Sequence, residues 1–79
     1  MPRYFFDIHD GSHTRDDEGV ECADLRTVAM EAKKLLPALA KDEVPKDGEQ
    51  QAVTVLVTDE DGKPVYSAAL TYTGIWLLR

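Results

Sequence analysis

The chain has 79 residues, a formal net charge of −6 and a single cysteine. This length allows one domain, predicted over residues 1–79, and a domain this small is marginal unless a disulfide, a metal or a partner chain supports it. One cysteine excludes an internal disulfide, and the Cys and His residues are too few for a tetrahedral structural zinc site. Self-association is therefore a candidate from composition alone.

The acidic excess lies in one segment. Residues 7–24 carry seven acidic residues and one basic residue, a balance of −6, whereas the remaining residues carry eight of each. Such a surface repels phosphates and anionic lipids, so neither nucleic acid nor a membrane is expected as a partner. Without a signal peptide or a run of roughly 20 apolar residues, and with a free thiol, the chain is expected to be cytoplasmic.

Residues 1–22 are predicted to form an N-terminal hairpin with an acidic turn. From Tyr4, every second residue of YFFDIH is large and apolar, which predicts a half-buried strand. The dipeptide Asp10-Gly11 suits a two-residue turn, and residues 13–16 would return as a short edge strand. A second turn at Asp17-Glu18-Gly19 then leads toward a helix.

A helix over residues 24–41 is the clearest predicted element. Asp24 is a good N-cap, since its carboxylate can accept hydrogen bonds from the free N–H groups of the first turn. Pro37 predicts a kink, but the apolar face continues past it. That face comprises Leu25, Val28, Ala29, Ala32, Leu35, Leu36 and Leu39 at helical spacing.

Residues 52–72 are predicted to form a C-terminal hairpin. A two-residue turn at Asp61-Gly62 would pair Thr58 with Val65 and Val57 with Tyr66, and this register agrees with the alternation of apolar residues. The predicted fold is therefore α+β with the order ββαββ: one amphipathic helix packs on a four-stranded sheet made of two hairpins. The first strand is expected to lie beside the last hairpin.

Residues 73–79 form an apolar tail. A domain this small is not expected to expose such a run to water. Either the tail folds back over the open end of the domain, or it docks on a second chain; the stability argument above favours docking. The candidate contact residues are Ile75, Trp76, Leu77 and Leu78.

One set of residues could imitate a metal site: His9, His13 and Cys22. The H-x₃-H spacing brings two ligands to one face only within a helix, and across a turn the two histidines are expected on opposite sides of a hairpin. Surface histidines near carboxylates are the simpler interpretation. For Cys22, acidic neighbours disfavour the thiolate and a helix N-terminus favours it, so a structural cysteine is expected rather than a nucleophile.

The acidic turns do not predict catalysis. Asp59–Gly62 resembles half of a calcium loop, but Val57 and Ala68 would occupy the first and twelfth positions. Asp16-Asp17 lies in a solvated turn, where nothing separates the two pKa values as an acid–base pair requires. The sequence also lacks a nucleophile elbow and a phosphate loop. We therefore expect no catalytic residue, no cofactor and no enzyme activity.

Three blocks occur in order: MPRYFFDIHDG, DDEGVECADL and VTVLVTDEDGKPV. Together they resemble a family of short bacterial proteins of unknown function. Its members begin with such a strand, carry an acidic D-x-x-G turn before an Asp-Leu helix start, and close with a V-x-D-x-x-G hairpin. The resemblance covers roughly residues 1–70 and implies a bacterial cytosolic protein without assigning an activity. The tail GIWLLR and Pro37 lie outside its pattern.

Three classes of function remain at this point. The favoured one is an interaction module that binds itself, as a homodimer, or an unknown protein partner. The second is an antitoxin-like or regulatory partner-binding protein, which rests on analogy of size and build and lacks a basic DNA-reading segment. The third is a metal-binding protein that uses His9, His13 and Cys22.

Overall fold

The computed structural model describes residues 2–43 and 50–78, and it confirms the predicted α+β class. The order ββαββ is observed with one additional short strand, β3, ahead of the helix. The elements are β1 (Arg3–His9), β2 (His13–Thr14), β3 (Val20–Glu21), α1 (Leu25–Glu43), β4 (Gln50–Thr58) and β5 (Pro64–Thr73).

The sheet has the strand order β2-β1-β4-β5, and β3 also pairs with β1. All these pairings are antiparallel. Residues separated by two or four positions in an extended chain point their backbone N–H and C=O groups to the same edge. The Pro2 carbonyl accepts a hydrogen bond from Cys22, and the Phe6 N–H donates to Asp16, so the segment after β1 lies along this edge. Strands β2 and β3 therefore lie along one edge of β1, while β4 occupies the other edge, as expected for a first strand beside the last hairpin.

The N-terminal hairpin differs from its prediction in two respects. His9 pairs with His13 and Ile8 with Thr14, so the loop has three residues and the predicted two-residue turn is wrong. The return strand ends at Thr14 rather than at residue 16. It ends early because the chain then turns to bring the side chain of Asp16, instead of another backbone segment, against β1.

Helix α1 ends two residues beyond the predicted range of 24–41 and contains Pro37. The N-cap prediction is confirmed, because the Thr27 N–H donates to Asp24 Oδ1 at 2.9 Å. The prediction for Leu25 is wrong: its side chain is 56% exposed. It has the correct helical phase but lies at the first position of the helix, beyond the residues that pack on the sheet.

The core lies between α1 and one face of the sheet. The alternation predicted for β1 is confirmed, and three valines of β4 are fully buried beneath the helix. The buried residues are Tyr4, Phe6, Ile8, Cys22, Val28, Ala32, Leu36, Ala40, Val53, Val55 and Val57, with Leu35, Leu39, Val65, Tyr66 and Ala68 packed against them.

The C-terminal hairpin has the predicted register away from its turn, with Val57 opposite Tyr66. At the turn the register shifts, and Thr58 pairs with Pro64 rather than with Val65. The predicted two-residue turn is therefore wrong. Asp59 closes a longer loop instead: its N–H donates to the Lys63 carbonyl at 2.9 Å.

Candidate functional site

The acidic segment is organised around the carboxylate of Asp16. Its Oδ2 accepts a hydrogen bond from the Phe6 N–H at 3.0 Å, and its Oδ1 accepts from the N–H groups of Glu18 at 3.1 Å and Gly19 at 3.0 Å. Burial raises the pKa of this carboxyl group, but the three hydrogen bonds and nearby Arg3 outweigh burial and hold it below 3.8. The carboxylate thus takes the place of a strand partner between β2 and β3.

The second D-x-x-G segment, Asp59 to Gly62, uses its aspartate in a similar way. Asp59 Oδ1 accepts from the N–H groups of Asp61 and Lys63, both at 2.9 Å. The Gly62 N–H donates to the Asp59 carbonyl at 3.0 Å. Both motifs are therefore turns in which an aspartate side chain satisfies backbone donors, with a glycine of positive φ at the fourth position.

The remaining polar contacts of this region also tie the chain to itself. The Asp16 N–H donates to Asp7 Oδ1 at 3.0 Å. Arg3 donates to the Glu18 carbonyl at 2.8 Å and pairs with Glu21 at 3.1 Å. These contacts join the acidic loop to β1, which gives several of its charges a structural role.

The structure brings His9 and His13 together but places Cys22 elsewhere. The two imidazoles stack across β1 and β2 with ring centroids 5.4 Å apart, so the expectation that they lie on opposite sides of the hairpin is wrong. Cys22 directly follows Glu21, which pairs with Arg3 at the start of β1. Arg3 and His9 are six residues apart along β1, a distance of about 20 Å at the rise of a strand. Within residues 2–43 and 50–78, no group of three or more His, Cys, Asp or Glu side chains is arranged to hold a metal ion.

Cys22 is a core residue. Its side chain is 1% exposed, and its N–H donates to the Pro2 carbonyl at 3.0 Å. Burial raises the pKa of the thiol, and the charges of Glu31 and Asp24 raise it further. The structural interpretation of this cysteine agrees with its position.

We expect native Cys22 to react with iodoacetamide at neutral pH only through opening of the fold. Its alkylation should be about 100-fold or more slower than in the urea-unfolded chain, as an opening free energy of about 3 kcal/mol implies. Mass spectrometry of timed reactions measures both rates. A Ser12→Cys, Cys22→Ala variant, with its thiol on an exposed loop, is the control; equal rates for Cys22 and this control would contradict the expectation.

Two open grooves flank β1. The groove on the helix side, of about 360 Å³, is mainly apolar, whereas the groove on the other side, of about 260 Å³, is acidic. Asp16 lines both, and its carboxylate is already occupied by three N–H groups. The acidic groove is lined by Phe5, Asp7, Arg15, Asp16, Asp17, Thr58, Asp59, Glu60 and Gly62.

The apolar tail does not fold back over the domain. Ile75 and Trp76 are 77% and 73% exposed, and Leu77 and Leu78 are 88% and 82% exposed. The exposed surface continues into β5, where Leu70 and Tyr72 are also partly open to solvent. Of the two alternatives for the tail, the structure contradicts the fold-back, and the predicted contact residues form the most exposed apolar segment among the described residues.

The two sides of the sheet differ in whether other segments of the described chain cover their outer edge. The edge of β1 is covered in turn by β2, the Asp16 carboxylate and β3, and it carries the acidic segment. Strand β5 ends the sheet on the other side, and no strand of the described chain pairs with its outer edge. Strand β5 and the residues that follow it, from Pro64 to Leu78, carry no charged side chain. Natural proteins usually protect edges of this kind with charges, bulges or a covering segment, so this edge is suited to pairing.

A comparison with protein families matches residues 3–71 to the model described as a domain of unknown function, DUF6894. The chain belongs to this family. The resemblance to a family of unknown function is therefore confirmed, and membership in DUF6894 assigns no activity. No curated protein and no solved structure matched the chain. No helix in the described part of this DUF6894 chain is both long and apolar enough to cross a lipid bilayer.

The DUF6894 match includes both D-x-x-G turns but ends before Ile75, so the exposed tail lies beyond it. The role of Asp16 as a hydrogen-bond acceptor for β1 was not predicted from the sequence. A signal was present, since two D-x-x-G segments occur and each places a glycine three residues after an aspartate. That spacing is typical of a turn in which the aspartate accepts backbone hydrogen bonds.

Proposed function

We propose that this protein acts as a small interaction module without catalysis of its own, and that the tail Ile75–Leu78 is its contact surface. One observation carries this proposal: four consecutive large apolar side chains, each at least 73% exposed, continue β5, whose outer edge pairs with no strand of the described chain. Contiguous apolar patches of this kind mark interaction sites in soluble proteins. Trp76 is the expected hot spot, because tryptophan is enriched among residues that dominate binding energy.

The alternatives receive less support from the same geometry. A metal site built on His9, His13 and Cys22 would need Cys22 to leave the core and cross the length of β1. Catalysis would need a group free to transfer protons or attack a substrate. Among the described residues, the carboxylate that accepts the most hydrogen bonds is that of Asp16, and it is held by three backbone N–H groups.

Trp76→Ala is expected to weaken association by on the order of 2 kcal/mol or more, whether the bound chain is a second copy or another protein. Association is measured by light scattering of the purified chain and by affinity capture with the chain as bait. Leu25→Ala is the matched control, since Leu25 is 56% exposed but lies far from the tail along the sequence. If Trp76→Ala changes association no more than Leu25→Ala does, the tail is not the contact surface.

A further inference from the structure

We propose that the partner of this surface is a second copy of the same chain, and that residues 66–78 of the two copies pair as antiparallel strands centred on Tyr72. This inference rests on the proposed function and identifies its partner. The observation behind it is the juxtaposition of an open ten-residue edge strand, β5, with the uncharged residues 74–78 that continue it directly.

The outer edge of β5 can accept a strand, because the described residues leave its outward backbone groups without a strand partner. Adding a strand to such an edge is a common mode of recognition in which the main chain supplies the hydrogen bonds. The junction between β5 and the tail contains residues that favour extended structure. Tyr72 and Thr73 end β5, and Ile75 and Trp76 follow after Gly74. Pairing would therefore extend β5 from Thr73 to Leu78.

The distribution of charge is compatible with a second copy as the partner at this edge. The chain carries −6, and residues 7–24 account for that whole balance. This segment lies on the β1 side of the sheet, whereas the pairing edge lies on the β5 side. Two copies joined at β5 thus keep their acidic segments at opposite ends of a continuous sheet, while pairing through β1 would bring like charges together.

The sizes of the facing side chains favour one register for the pairing of the two β5 strands. A two-fold axis perpendicular to the sheet keeps both helices on one face and pairs residues whose numbers have the same parity. Centring on Tyr72 places Trp76 opposite Ala68 and Leu70 opposite Gly74 on the face that bears the helix. On the other face it places Ile75 opposite Ala69. In these three pairs a large residue meets a small one, which suits cross-strand packing. The exceptions are Tyr72, which meets its own copy at the axis, and Tyr66, which meets Leu78 at the ends.

A register centred one residue earlier is less suitable, because it would place Trp76 against Tyr66 and Gly74 against Ala68. In the first of these pairs two large residues would face each other, and in the second two small ones would. The available area also fits a dimer. Thirteen paired residues extend about 40 Å, and they can bury on the order of the 800 Å² per partner that stable interfaces use.

The test uses full-length chains that carry Cys22→Ala and a single new cysteine. Tyr72→Cys places two thiols across the axis, where paired Cα atoms lie about 4.5–5.5 Å apart, within the range that a disulfide spans. Ser67→Cys is the matched control on the same strand, since the proposed register separates its two copies by about 33 Å. Sedimentation velocity of the unmodified chain gives its oligomeric state, and circular dichroism shows that each variant folds.

We expect the unmodified chain to form dimers and Tyr72→Cys to form disulfide-linked dimers at least tenfold faster than Ser67→Cys. A mixture of Ser67→Cys and Leu77→Cys should give mixed dimers, because these residues face each other in this register. Equal cross-linking of Tyr72→Cys and Ser67→Cys would overturn the register. An unmodified chain that stays monomeric to about 1 mM would overturn self-pairing. If that monomer still captures another protein through Trp76, the proposed function survives; if it captures none, both fail.

Discussion

Asp16→Ala is expected to lower the free energy of unfolding by about 3 kcal/mol. The substitution removes one ionised acceptor from three backbone N–H groups, and the Phe6 N–H lies in a partly buried gap between β2 and β3. A donor left unsatisfied in such a place costs about 1–3 kcal/mol, and bonds to charged acceptors are among the stronger ones. Urea unfolding followed by circular dichroism measures the change.

Asp17→Ala is the control for this prediction. Its carboxylate is the next in the chain and exposed, so its removal should change stability by less than about 0.5 kcal/mol. Asp16→Asn should fall between the two, because the amide keeps one acceptor oxygen but presents a donor in place of the other. Equal losses for Asp16→Ala and Asp17→Ala would show that the hydrogen bonds of Asp16 do not support the fold.

The lowered pKa of the Asp16 carboxyl group implies that the stability of the fold depends on pH. The pKa of Asp16 is lower in the folded chain than its ordinary value of 3.8, so the unfolded chain binds the proton more tightly. Its contribution is therefore fully present above pH 3.8 and is lost as the pH falls through the folded pKa. Asp16→Asn should lack this part of the acid-induced loss when urea unfolding is compared at neutral pH and at acidic pH. An unchanged pH profile would assign the loss to other carboxyl groups.

Gly19→Ala is expected to destabilise the protein by about 2–5 kcal/mol for two separable reasons. Gly19 has φ +78°, a conformation that costs an L-residue about 1–2 kcal/mol. An added Cβ would also lie 2.7 Å from Arg3 Cγ and 2.9 Å from Phe5 Cε1, which forces β1 side chains to move. Overpacking of this kind typically costs a further 1–3 kcal/mol.

Gly62→Ala separates these two contributions. Gly62 has nearly the same φ, +80°, in the second D-x-x-G turn, but no atom lies within 4 Å of its added Cβ. It should therefore lose only the backbone contribution of about 1–2 kcal/mol. The difference between the two variants in urea unfolding gives the cost of the contact with β1. If the two losses are equal, the acidic loop does not pack against β1 as closely as the structure shows.

Local patterns were sufficient to predict most of the elements. The alternation in β1 and β4, the helical spacing behind Asp24 and the register of Val57 with Tyr66 were all recovered, because each depends on residues close in the sequence or on one turn. The two incorrect predictions of turn length also have a local origin. Both hairpin turns are longer than predicted, since Asp10-Gly11 and Asp61-Gly62 favour a two-residue turn by composition while the actual loops form other hydrogen bonds.

The candidate surface was identified less completely. The tail Ile75–Leu78 was apparent as an apolar run, but the run alone did not determine its exposure, because folding back onto the domain remained an alternative to the favoured docking on a second chain. The residues of the tail were apparent from the sequence, but the open edge of β5 beside them was not. That edge emerged only from the strand order, which places β5 at the end of the sheet.

The sequence by itself determined the α+β class, the helix with its cap at Asp24, the core faces of β1 and β4, and the apolar character of the C-terminal tail. These properties follow from periodicity, capping and charge, which act over a few residues. Only the tertiary structure decided that Asp16 substitutes for a strand partner, that Cys22 lies far from His9, and that β5 forms an open edge. Each of these depends on which segments become neighbours, and that is set by packing between residues far apart in the chain.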